Sequence, residues 1–592
     1  MFQEMNEIVL SYPKIVQRLK EEKSSKKKVL KNLKEIRAEF SEGTINVVEK
    51  LLNVTLPHLY DGINFNDEQV NLSELMEKNS VVLVPNHQSH MDYLAINYKF
   101  FQKFKRPLYV AGGINLNVFP IGKMFRSSGC FFIRRSFNND ITYKLTLEAY
   151  LFYLIKKRFP IEFFFEGGRS RTGKLRPPRF GLYHMLLEAH SQIEEKDRVP
   201  LAFIPVSMAH EYVPEQKTLA RELKGAKKKK ESTGQMFKLL GLFSRQFGNV
   251  HINLGTPIYP SEKGSMKQNI QDLAFKCFIR VGKNMLVTPS SLLILVLLDE
   301  PTGAMQWQEV LDQTRYLRDF CNKFGIPTPS SLDEKNFEKS MERACDILVG
   351  NKRLNIIGDK SVGHVFYSLK EEARPELLYF KNTIIHHFLV PSTIYFTWIK
   401  LFDGSLQTVE DLKELFVYQR DRLKLEFYLP SMKEFIQQTL RIISDCVGRK
   451  MSNLEDCLSL NRKELYLLGT GLGTFSQMLS YLDEVYYVVA KSILLIDIET
   501  QGEWGKLNKA DDILKKSKDL YAQELKLSKF IKYPESFSTP SARNVLKYLE
   551  QLKIIEFKEG RYKLINKDKL TDLVARYALE LKERLVFNFK VS

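Results

Sequence analysis

The stretch Val81–Leu94 reads VVLVPNHQSHMDYL, and its pattern indicates the fold class. The four consecutive apolar residues Val81–Val84 are typical of a buried strand, and Pro85 ends the run because proline has no N–H to donate to a neighbouring strand. The polar residues that follow lead into a helix that is predicted to begin near Ser89. A buried strand followed at once by a helix indicates an α/β fold.

The same alternation continues along the chain. Further strands are predicted at Phe131–Ile133, Ile161–Phe165 and Phe203–Val206, and helices are predicted between them at Asp140–Lys157 and Tyr183–Ile193. Strands that alternate with helices predict a mostly parallel sheet with flanking helices. In such sheets the reactive groups gather in the loops at the carboxyl ends of the strands.

Three regions are predicted along the chain. Residues 1–60 read as helices, residues 61–290 as the α/β domain, and residues 291–592 as a mainly helical domain. At 530–592, a helical pattern followed by two short strands is similar to a piece of a winged helix. The longest apolar run, Leu292–Leu298, is too short for a membrane span, which needs about 20 apolar residues. We therefore expect no transmembrane span, and the acidic first ten residues do not resemble a secretory signal.

The charge balance narrows the classes of partner. The chain has 592 residues and a net charge of +19, from 89 Lys and Arg against 70 Asp and Glu. Such a balance predicts an anionic partner, such as nucleic acid, anionic lipid, an acidic carrier protein or a phosphorylated substrate. The six cysteines show no CxxC spacing, which argues against a disulfide framework or a zinc site and favours a reducing compartment.

Two basic segments stand out. Between Lys14 and Arg37 the chain holds ten Lys or Arg and three Glu, with apolar residues at helical spacing. This pattern fits a basic amphipathic helix on an anionic membrane surface. It equally fits a solvated helix that packs a narrow apolar stripe on the protein. The second segment, Lys224–Lys230, is predicted to be a mobile loop.

The polar residues after the first strand allow two interpretations. If His87 lies in the turn and Asp92 in the first turn of the helix, the carboxylate can accept a hydrogen bond from one imidazole nitrogen and leave the other as a general base. Alternatively, Ser89 and Asp92 have the spacing of a capping box, which only begins a helix. The residues alone leave both interpretations open.

Two further blocks carry clustered cations. The block Ser127–Phe137 (SSGCFFIRRSF) brings Arg134 and Arg135 to a strand end, where at most one of them faces a shared site because neighbouring strand residues point to opposite faces. The block Phe163–Lys174 (FFFEGGRSRTGK) ends in two glycines and three cations, which suit an anion. It is not a Walker A loop, because Leu175 replaces the required hydroxyl.

A fourth block, Ala202–Tyr212, reads as a buried strand with a proline. In this order and with these separations, the four blocks resemble the glycerol-3-phosphate acyltransferase family, in particular its large bacterial membrane-associated enzymes and their dihydroxyacetone-phosphate relatives. The family blocks are matched as follows: H-x4-D by His87 and Asp92, G-x-x-F-I-R-R by Gly129–Arg135, E-G-G-R-S-R by Glu166–Arg171, and the proline-bearing strand by Ile204–Val206.

The resemblance implies a glycerol-3-phosphate 1-O-acyltransferase. Such an enzyme moves a fatty acyl group from an acyl thioester to the 1-hydroxyl of glycerol 3-phosphate, giving lysophosphatidic acid in the first step of phospholipid synthesis. His87 and Asp92 are then the catalytic pair, and neither a metal nor a cofactor is expected. The resemblance gives the substrate-binding residues as Arg134, Glu166, Gly167, Gly168, Arg169, Ser170, Arg171 and Pro205. Lys174 and Arg126 are weaker candidates for binding the phosphate.

The expected partners are glycerol 3-phosphate, acyl-CoA or acyl carrier protein, and an anionic membrane surface at the cytoplasmic face of the cell membrane. Dihydroxyacetone phosphate as the acceptor is the main alternative. A nucleic-acid-binding protein is a distant one, because the helix at Ser541–Leu552 carries only Arg543 and Lys547 as basic residues.

Overall fold

A computed structural model of the chain describes residues 2–21, 25–137, 140–223, 246–261, 263–300, 303–359, 364–502, 509–527 and 529–587. The basic segment Lys224–Lys230 lies outside these residues. The chain divides into two compact units. The first consists of Met1–Ser170, Leu175–Glu215 and Lys228–Thr288, and the second of Arg171–Lys174, Gln216–Lys227 and Pro289–Ser592.

A seven-stranded sheet forms the centre of the first unit. Its strands, in chain order, are β1 (Gly62–Asn66), β2 (Ser80–Pro85), β3 (Tyr109–Gly113), β4 (Cys130–Ile133), β5 (Ile161–Glu162), β6 (Leu201–His210) and β7 (Asn249–Leu254). They lie in the order β1-β7-β6-β2-β5-β3-β4. Every neighbouring pair is parallel except β6 and β7. The predicted α/β class with a mostly parallel sheet is therefore confirmed.

Helices cover both faces of this sheet. Those of the first unit are Phe2–Ser11, Pro13–Glu21, Ser25–Ile36, Glu42–Leu59, Leu72–Lys78, Asp92–Phe104, Ile121–Ser127, Ile141–Lys156, Gly181–Ser191 and Met266–Lys283. The helix Ile141–Lys156 is buried along most of its length, because the sheet packs on one side of it and the N-terminal helices on the other. The parallel strands place the carboxyl ends of β2, β3, β4, β5 and β6 at one edge of the sheet.

The N-terminal basic segment packs its apolar stripe on the protein. Ile15, Val29, Leu33 and Ile36 are fully buried in the same core cluster as the helix Ile141–Lys156. These four side chains are not available for insertion into a bilayer, so binding of residues 14–37 to a membrane surface stays a prediction that rests on their basic residues. The stripe fits the alternative, a solvated helix held on the body of the protein.

The second unit is mainly helical, as predicted. Its helices are Gln216–Leu223, Pro289–Leu298, Trp307–Phe324, Phe337–Gly350, Arg374–Ile384, Leu389–Phe402, Val409–Leu423, Met432–Val447, Glu455–Leu458, Arg462–Leu472, Ser480–Glu499, Ala510–Leu527, Thr539–Gln551 and Lys567–Val586. A small sheet joins β8 (Met305–Gln306), β9 (Leu354–Asp359) and β10 (His364–Leu369). No helix among the described residues is both long enough and apolar enough to cross a membrane.

The helix and hairpin predicted near the C-terminus are present. The helix Thr539–Gln551 precedes the antiparallel strands β11 (Ile555–Lys558) and β12 (Arg561–Leu564). The two residues between the strands, Glu559 and Gly560, both have positive φ, as a tight two-residue hairpin turn requires.

Candidate active site

His87 lies in the turn between β2 and the helix Asp92–Phe104, at the carboxyl edge of the sheet. The preceding residue, Asn86, fixes the start of this turn. Its side-chain Oδ1 accepts the Met208 N–H at 2.7 Å, and its Nδ2 donates to the Met208 carbonyl at 3.2 Å. The buried amide thus takes the place of a backbone partner and ties the end of β2 to β6.

The carboxylate of Asp92 is the centre of a buried hydrogen-bond network. Its Oδ2 accepts Nδ1–H of His87 at 2.9 Å, the N–H of Gln88 at 2.6 Å and the N–H of Ser89 at 2.9 Å. Its Oδ1 accepts Nε2–H of His210 at 2.6 Å. The carboxylate therefore contacts His87 and also caps the backbone, so the two interpretations of Asp92 do not exclude each other.

The sequence pattern predicted that the helix begins near Ser89, but it begins at Asp92. The reason lies in the turn itself. The Ser89 hydroxyl accepts the N–H of Met91, and the Ser89 N–H points to the Asp92 carboxylate. These bonds hold residues 87–91 as a turn before the first helical residue.

The surroundings of Asp92 keep it ionised. Burial acts to raise the pKa of this carboxyl, but the hydrogen bonds from His210 and His87 outweigh burial and hold the pKa well below its usual range. Because Nδ1 of His87 donates to the carboxylate, the neutral imidazole carries no proton on Nε2. The ring also stacks on Phe164, with centroids 4.1 Å apart, and 12% of the side chain is exposed. The arrangement supplies a fixed, partly accessible base.

His210 was missed in the sequence. It ends β6, 118 residues after Asp92, and its side chain is fully buried. The sequence shows only that a histidine follows a predicted strand in the block Ala202–Tyr212. Its contact with Asp92 depends on the fold and cannot be predicted from this local pattern. Its contact makes His210 a candidate positioning residue.

We expect His210→Phe to lower kcat for the reaction of this site about tenfold to a hundredfold. A hydrogen bond to a charged group contributes about 1.5–3 kcal/mol, and its loss leaves Oδ1 of Asp92 buried without a partner. His210→Gln can still donate an amide N–H and should recover much of the rate. Steady-state kinetics and melting temperatures of both variants check this. If His210→Phe and His210→Gln lose the same factor in kcat, and this loss parallels the fall in melting temperature, His210 contributes only to packing.

The loop Glu166–Ser170, which contains Gly167 and Gly168, bonds to both the N–H and the carbonyl of His87. Oε1 of Glu166 accepts the His87 N–H at 3.3 Å, and the Ser170 N–H donates to the His87 carbonyl at 2.8 Å. Gly167 and Gly168, between them, have φ of 66° and 159°. Burial raises the pKa of Glu166 well above its usual range. Four of the residues expected to bind substrate thus contact the turn that carries His87 or connect the residues that do.

Arg169 lies on the same loop and reaches the same turn. Its guanidinium is 3.8 Å from Glu215, whose carboxylate also accepts the Ser89 hydroxyl and the His90 N–H, each at 2.9 Å. The side chain of Arg169 is 16% exposed. Arg169 is therefore a cation connected through Glu215 to the turn that carries His87.

Arg134 has a partner in the first unit. Its Nε and Nη2 donate to the two oxygens of Glu35 at 2.6 and 2.7 Å, and its guanidinium lies 4.1 Å from the Tyr143 ring centroid. Because β4 is three strand positions from β2, about 14 Å separates the two strand ends. Arg126 donates to the carbonyls of Lys34, Glu35 and Arg37 and so closes the end of a helix.

Arg171 and Lys174 belong to the second unit, although the segment Arg171–Lys174 directly follows Ser170 of the first unit. Lys174 forms a buried ion pair with Glu426 and lies 4.7 Å from the Phe427 ring centroid. Gly173 has φ of 85°, and a Cβ there would lie 2.0 Å from the Tyr379 carbonyl oxygen. The expected role of Lys174 in substrate binding therefore has a structural competitor, since Glu426 already balances its charge.

Pro205 lies inside the sheet. It pairs with Val84 in the register of β2 and β6, and its carbonyl accepts the Gly255 N–H at 2.8 Å. The structure thus places it within a buried strand and before the loops at the strand ends, where the other candidate residues lie.

Comparison with known proteins bears on the identity of the chain. Residues 66–209 match the sequence model of the family described as "Acyltransferase". Residues 219–558, more than half of the chain, match "Glycerol-3-phosphate acyltransferase C-terminal region". The chain belongs to the glycerol-3-phosphate acyltransferase family. The resemblance carried by the four sequence blocks is confirmed.

Curated relatives agree with this family. The chain is 27% identical over 564 residues to the glycerol-3-phosphate acyltransferase of Haemophilus ducreyi, covering 90% of this chain and 66% of the relative. It is 30% identical over 485 residues to that of Pseudoalteromonas translucida, covering 76% of this chain and 56% of the relative. The chain therefore spans at most about two thirds of the length of these glycerol-3-phosphate acyltransferases.

Proposed function

We propose that this chain transfers a fatty acyl group from an acyl thioester to the 1-hydroxyl of glycerol 3-phosphate, giving lysophosphatidic acid. The observation that carries the proposal is the buried, ionised Asp92, whose Oδ2 accepts Nδ1–H of His87 at 2.9 Å. Membership of the glycerol-3-phosphate acyltransferase family and the names of its relatives support the choice of acceptor.

The reaction needs one base and no acyl-enzyme intermediate. Nε2 of His87 removes the proton of the acceptor hydroxyl as the oxygen attacks the thioester carbonyl, and Asp92 stabilises the imidazolium. The tetrahedral intermediate then breaks its C–S bond. His87 returns the proton to the leaving thiolate, so the products are the ester and a free thiol, and the neutral imidazole is restored.

Arg169 is the phosphate ligand with the best support, because its loop also holds the His87 backbone. Arg171 follows in the same family motif and is proposed as a second ligand on that resemblance. Charge-assisted contacts from arginine to phosphate are strong and directional, so they can orient the 1-hydroxyl toward the base.

Arg134 can be tested as a third phosphate ligand through its partner. Glu35 occupies the guanidinium in the bidentate geometry that a phosphate also uses. If Glu35 and the substrate phosphate compete for Arg134, Glu35→Gln should lower the KM for glycerol 3-phosphate. Arg134→Ala should raise this KM about tenfold. Steady-state kinetics with the donor held saturating check both. If neither variant changes this KM, Arg134 is a structural ion pair only.

The net charge supports an anionic acyl donor and an anionic membrane surface as partners. Acyl-CoA and acyl carrier protein are both anionic, and the chain carries a net charge of +19. We propose that the protein binds the anionic cytoplasmic face of the cell membrane as a peripheral protein.

One assay tests the proposed function. Purified protein is given labelled glycerol 3-phosphate with acyl-CoA or acyl carrier protein thioester in separate reactions, and the acylated position is determined. We expect 1-acyl product with at least one donor. Dihydroxyacetone phosphate is offered in parallel. Faster acylation of dihydroxyacetone phosphate would replace the proposed acceptor, and no acyl transfer to either would contradict the proposal.

A further inference from the structure

A row of apolar side chains lies exposed on the helix Glu42–Leu59. Val47, Leu51 and Val54 follow one another at helical spacing and are 67%, 54% and 65% exposed. The opposite side of the helix is anchored, because Ile45 and Leu56 are buried. The exposed row is thus a fixed feature of a packed helix.

A loop adds to this surface. Val118 and Phe119, between β3 and the helix Ile121–Ser127, are 42% and 82% exposed. The helix Glu42–Leu59 packs against Ile121–Ser127, and the Ser41 N–H donates to the Ser127 carbonyl at 2.9 Å. We call the five side chains of Val47, Leu51, Val54, Val118 and Phe119 the apolar ridge.

The loop part of the ridge, Val118 and Phe119, lies at the active-site edge of the sheet. The loop with Phe119 leaves the carboxyl end of β3, and His87 follows the carboxyl end of β2, two strand positions away. Since β2, β5 and β3 are parallel, both loops emerge at the same edge. About 10 Å separates the two strand ends.

Basic side chains border the ridge. The helix Glu42–Leu59 is bonded to the helix Asp92–Phe104 through Asn53, which accepts Tyr98 Oη–H at 2.6 Å. These two helices, the helix Ile121–Ser127 and the residues just after them carry six cations that are not buried, Lys50, Lys99, Lys103, Lys105, Arg106 and Lys123. The acids beside them that are not buried are Glu42, Glu49, Asp61 and Asp67. Glu49 pairs with Lys105, and Asp67 pairs with Lys103. The border therefore has a positive balance.

We propose that the apolar ridge is the surface by which the protein docks on an anionic lipid bilayer. Exposed apolar side chains within a basic border suit insertion among lipid headgroups. The inference rests on the proposed function, because an acyl donor and an acylated phosphate product are amphiphiles. Docking through Val118 and Phe119 would bring the edge that carries His87 to the membrane in which the product accumulates.

Vesicle flotation tests the ridge. The full chain is mixed with vesicles of phosphatidylcholine and phosphatidylglycerol, and with vesicles of phosphatidylcholine alone. We expect the wild type to float with the anionic vesicles. The triple variant V47Q/L51Q/V54Q should bind them at least tenfold more weakly, and Phe119→Ser alone should weaken binding several-fold. Glutamine keeps the helix propensity, so the melting temperature should not change.

A matched control separates the ridge from exposed apolar residues in general. Val417, Leu579 and Val586 are 47%, 51% and 65% exposed on helices of the second unit. The triple variant V417Q/L579Q/V586Q should float as the wild type does. Equal loss in this control, or flotation of the ridge variant at the wild-type level, would overturn the proposal. So would a wild-type dimer in solution that the ridge variant dissociates, because the ridge would then be a contact between copies.

A vesicle-free assay keeps this inference apart from the proposed function. With a short-chain, water-soluble acyl-CoA, the ridge variant should transfer acyl groups at the wild-type rate. If wild type and variant are both inactive in every acyl-transfer assay, the proposed function fails, while flotation still reports on the ridge. If the variant alone loses activity in the absence of vesicles, the ridge acts on the catalytic unit itself and the docking proposal is wrong.

Discussion

His87→Ala should lower kcat for acyl transfer about 10³–10⁴-fold, at the upper end of the range for loss of a general base. No other described group is placed by Asp92 to accept the hydroxyl proton at the same position. The fold should tolerate the change. Glu166 and Ser170 hold the backbone of residue 87 and not its ring, and Asp92 keeps three other hydrogen-bond donors.

His90→Ala is the matched control for this variant. His90 lies in the same turn, and its Nδ1 is 3.5 Å from the Tyr93 hydroxyl. We expect its replacement to change kcat by less than about threefold, because an exposed or part-buried substitution outside the network acts weakly. Rates and melting temperatures are measured for both. A His87→Ala enzyme that is folded and within tenfold of the wild-type kcat would remove His87 from the chemistry.

Asp92→Asn should lower kcat about 10²–10⁴-fold. The change removes the negative charge that stabilises the imidazolium of His87. One amide oxygen can still accept the N–H groups of Gln88 and Ser89, so the turn should form. Because the amide pairs less well with His87 and His210, we expect a loss of about 1–3 kcal/mol in the free energy of unfolding.

The stability loss of Asp92→Asn should depend on pH in a defined direction. The folded-state pKa of Asp92 is lowered, so its ionised form stabilises the fold at every pH above the unfolded-state value of about 3.9. As the pH falls below about 4, this contribution is lost toward the folded-state pKa. Denaturant unfolding of wild type and variant should therefore differ by a constant amount from about pH 7 to 5 and converge below about pH 4. A difference that grows on acidification would contradict the network drawn around Asp92.

Local sequence patterns predicted β2, β4, β5 and β6 and the positions of His87 and Asp92, but they did not predict β1, β3 and β7. An apolar run needs only its own residues to indicate a buried strand, and β2 and β4 lie where they were expected. The strand predicted at Ile161–Phe165 is shorter, since regular pairing ends at Glu162. Phe163 and Phe165 still donate to the carbonyls of Leu83 and Pro85, so the chain stays extended beside β2.

The partners of the charged residues could not be predicted from local patterns. His210 meets Asp92 across 118 residues, and Glu35 meets Arg134 across 99. Each pairing depends on which strands and helices become neighbours, and many carboxylates of the chain were equally suitable by composition. The sequence pattern also could not decide between Asp92 as a helix cap and Asp92 as the partner of His87, because the same carboxylate makes both sets of hydrogen bonds.

The short segment Arg171–Lys174 also has a consequence for synthesis of the chain on the ribosome. Asn382 donates to the Thr172 carbonyl across 210 residues, and Glu426 pairs with Lys174 across 252. At about 5–20 residues per second, these partners emerge about 10–50 s after the segment itself. The strands on either side can pair during that time, but Asn382 and Glu426, the partners of Thr172 and Lys174, have not yet been made. A nascent chain halted near residue 300 should thus hold a formed sheet with an open, protease-sensitive loop directly after Ser170.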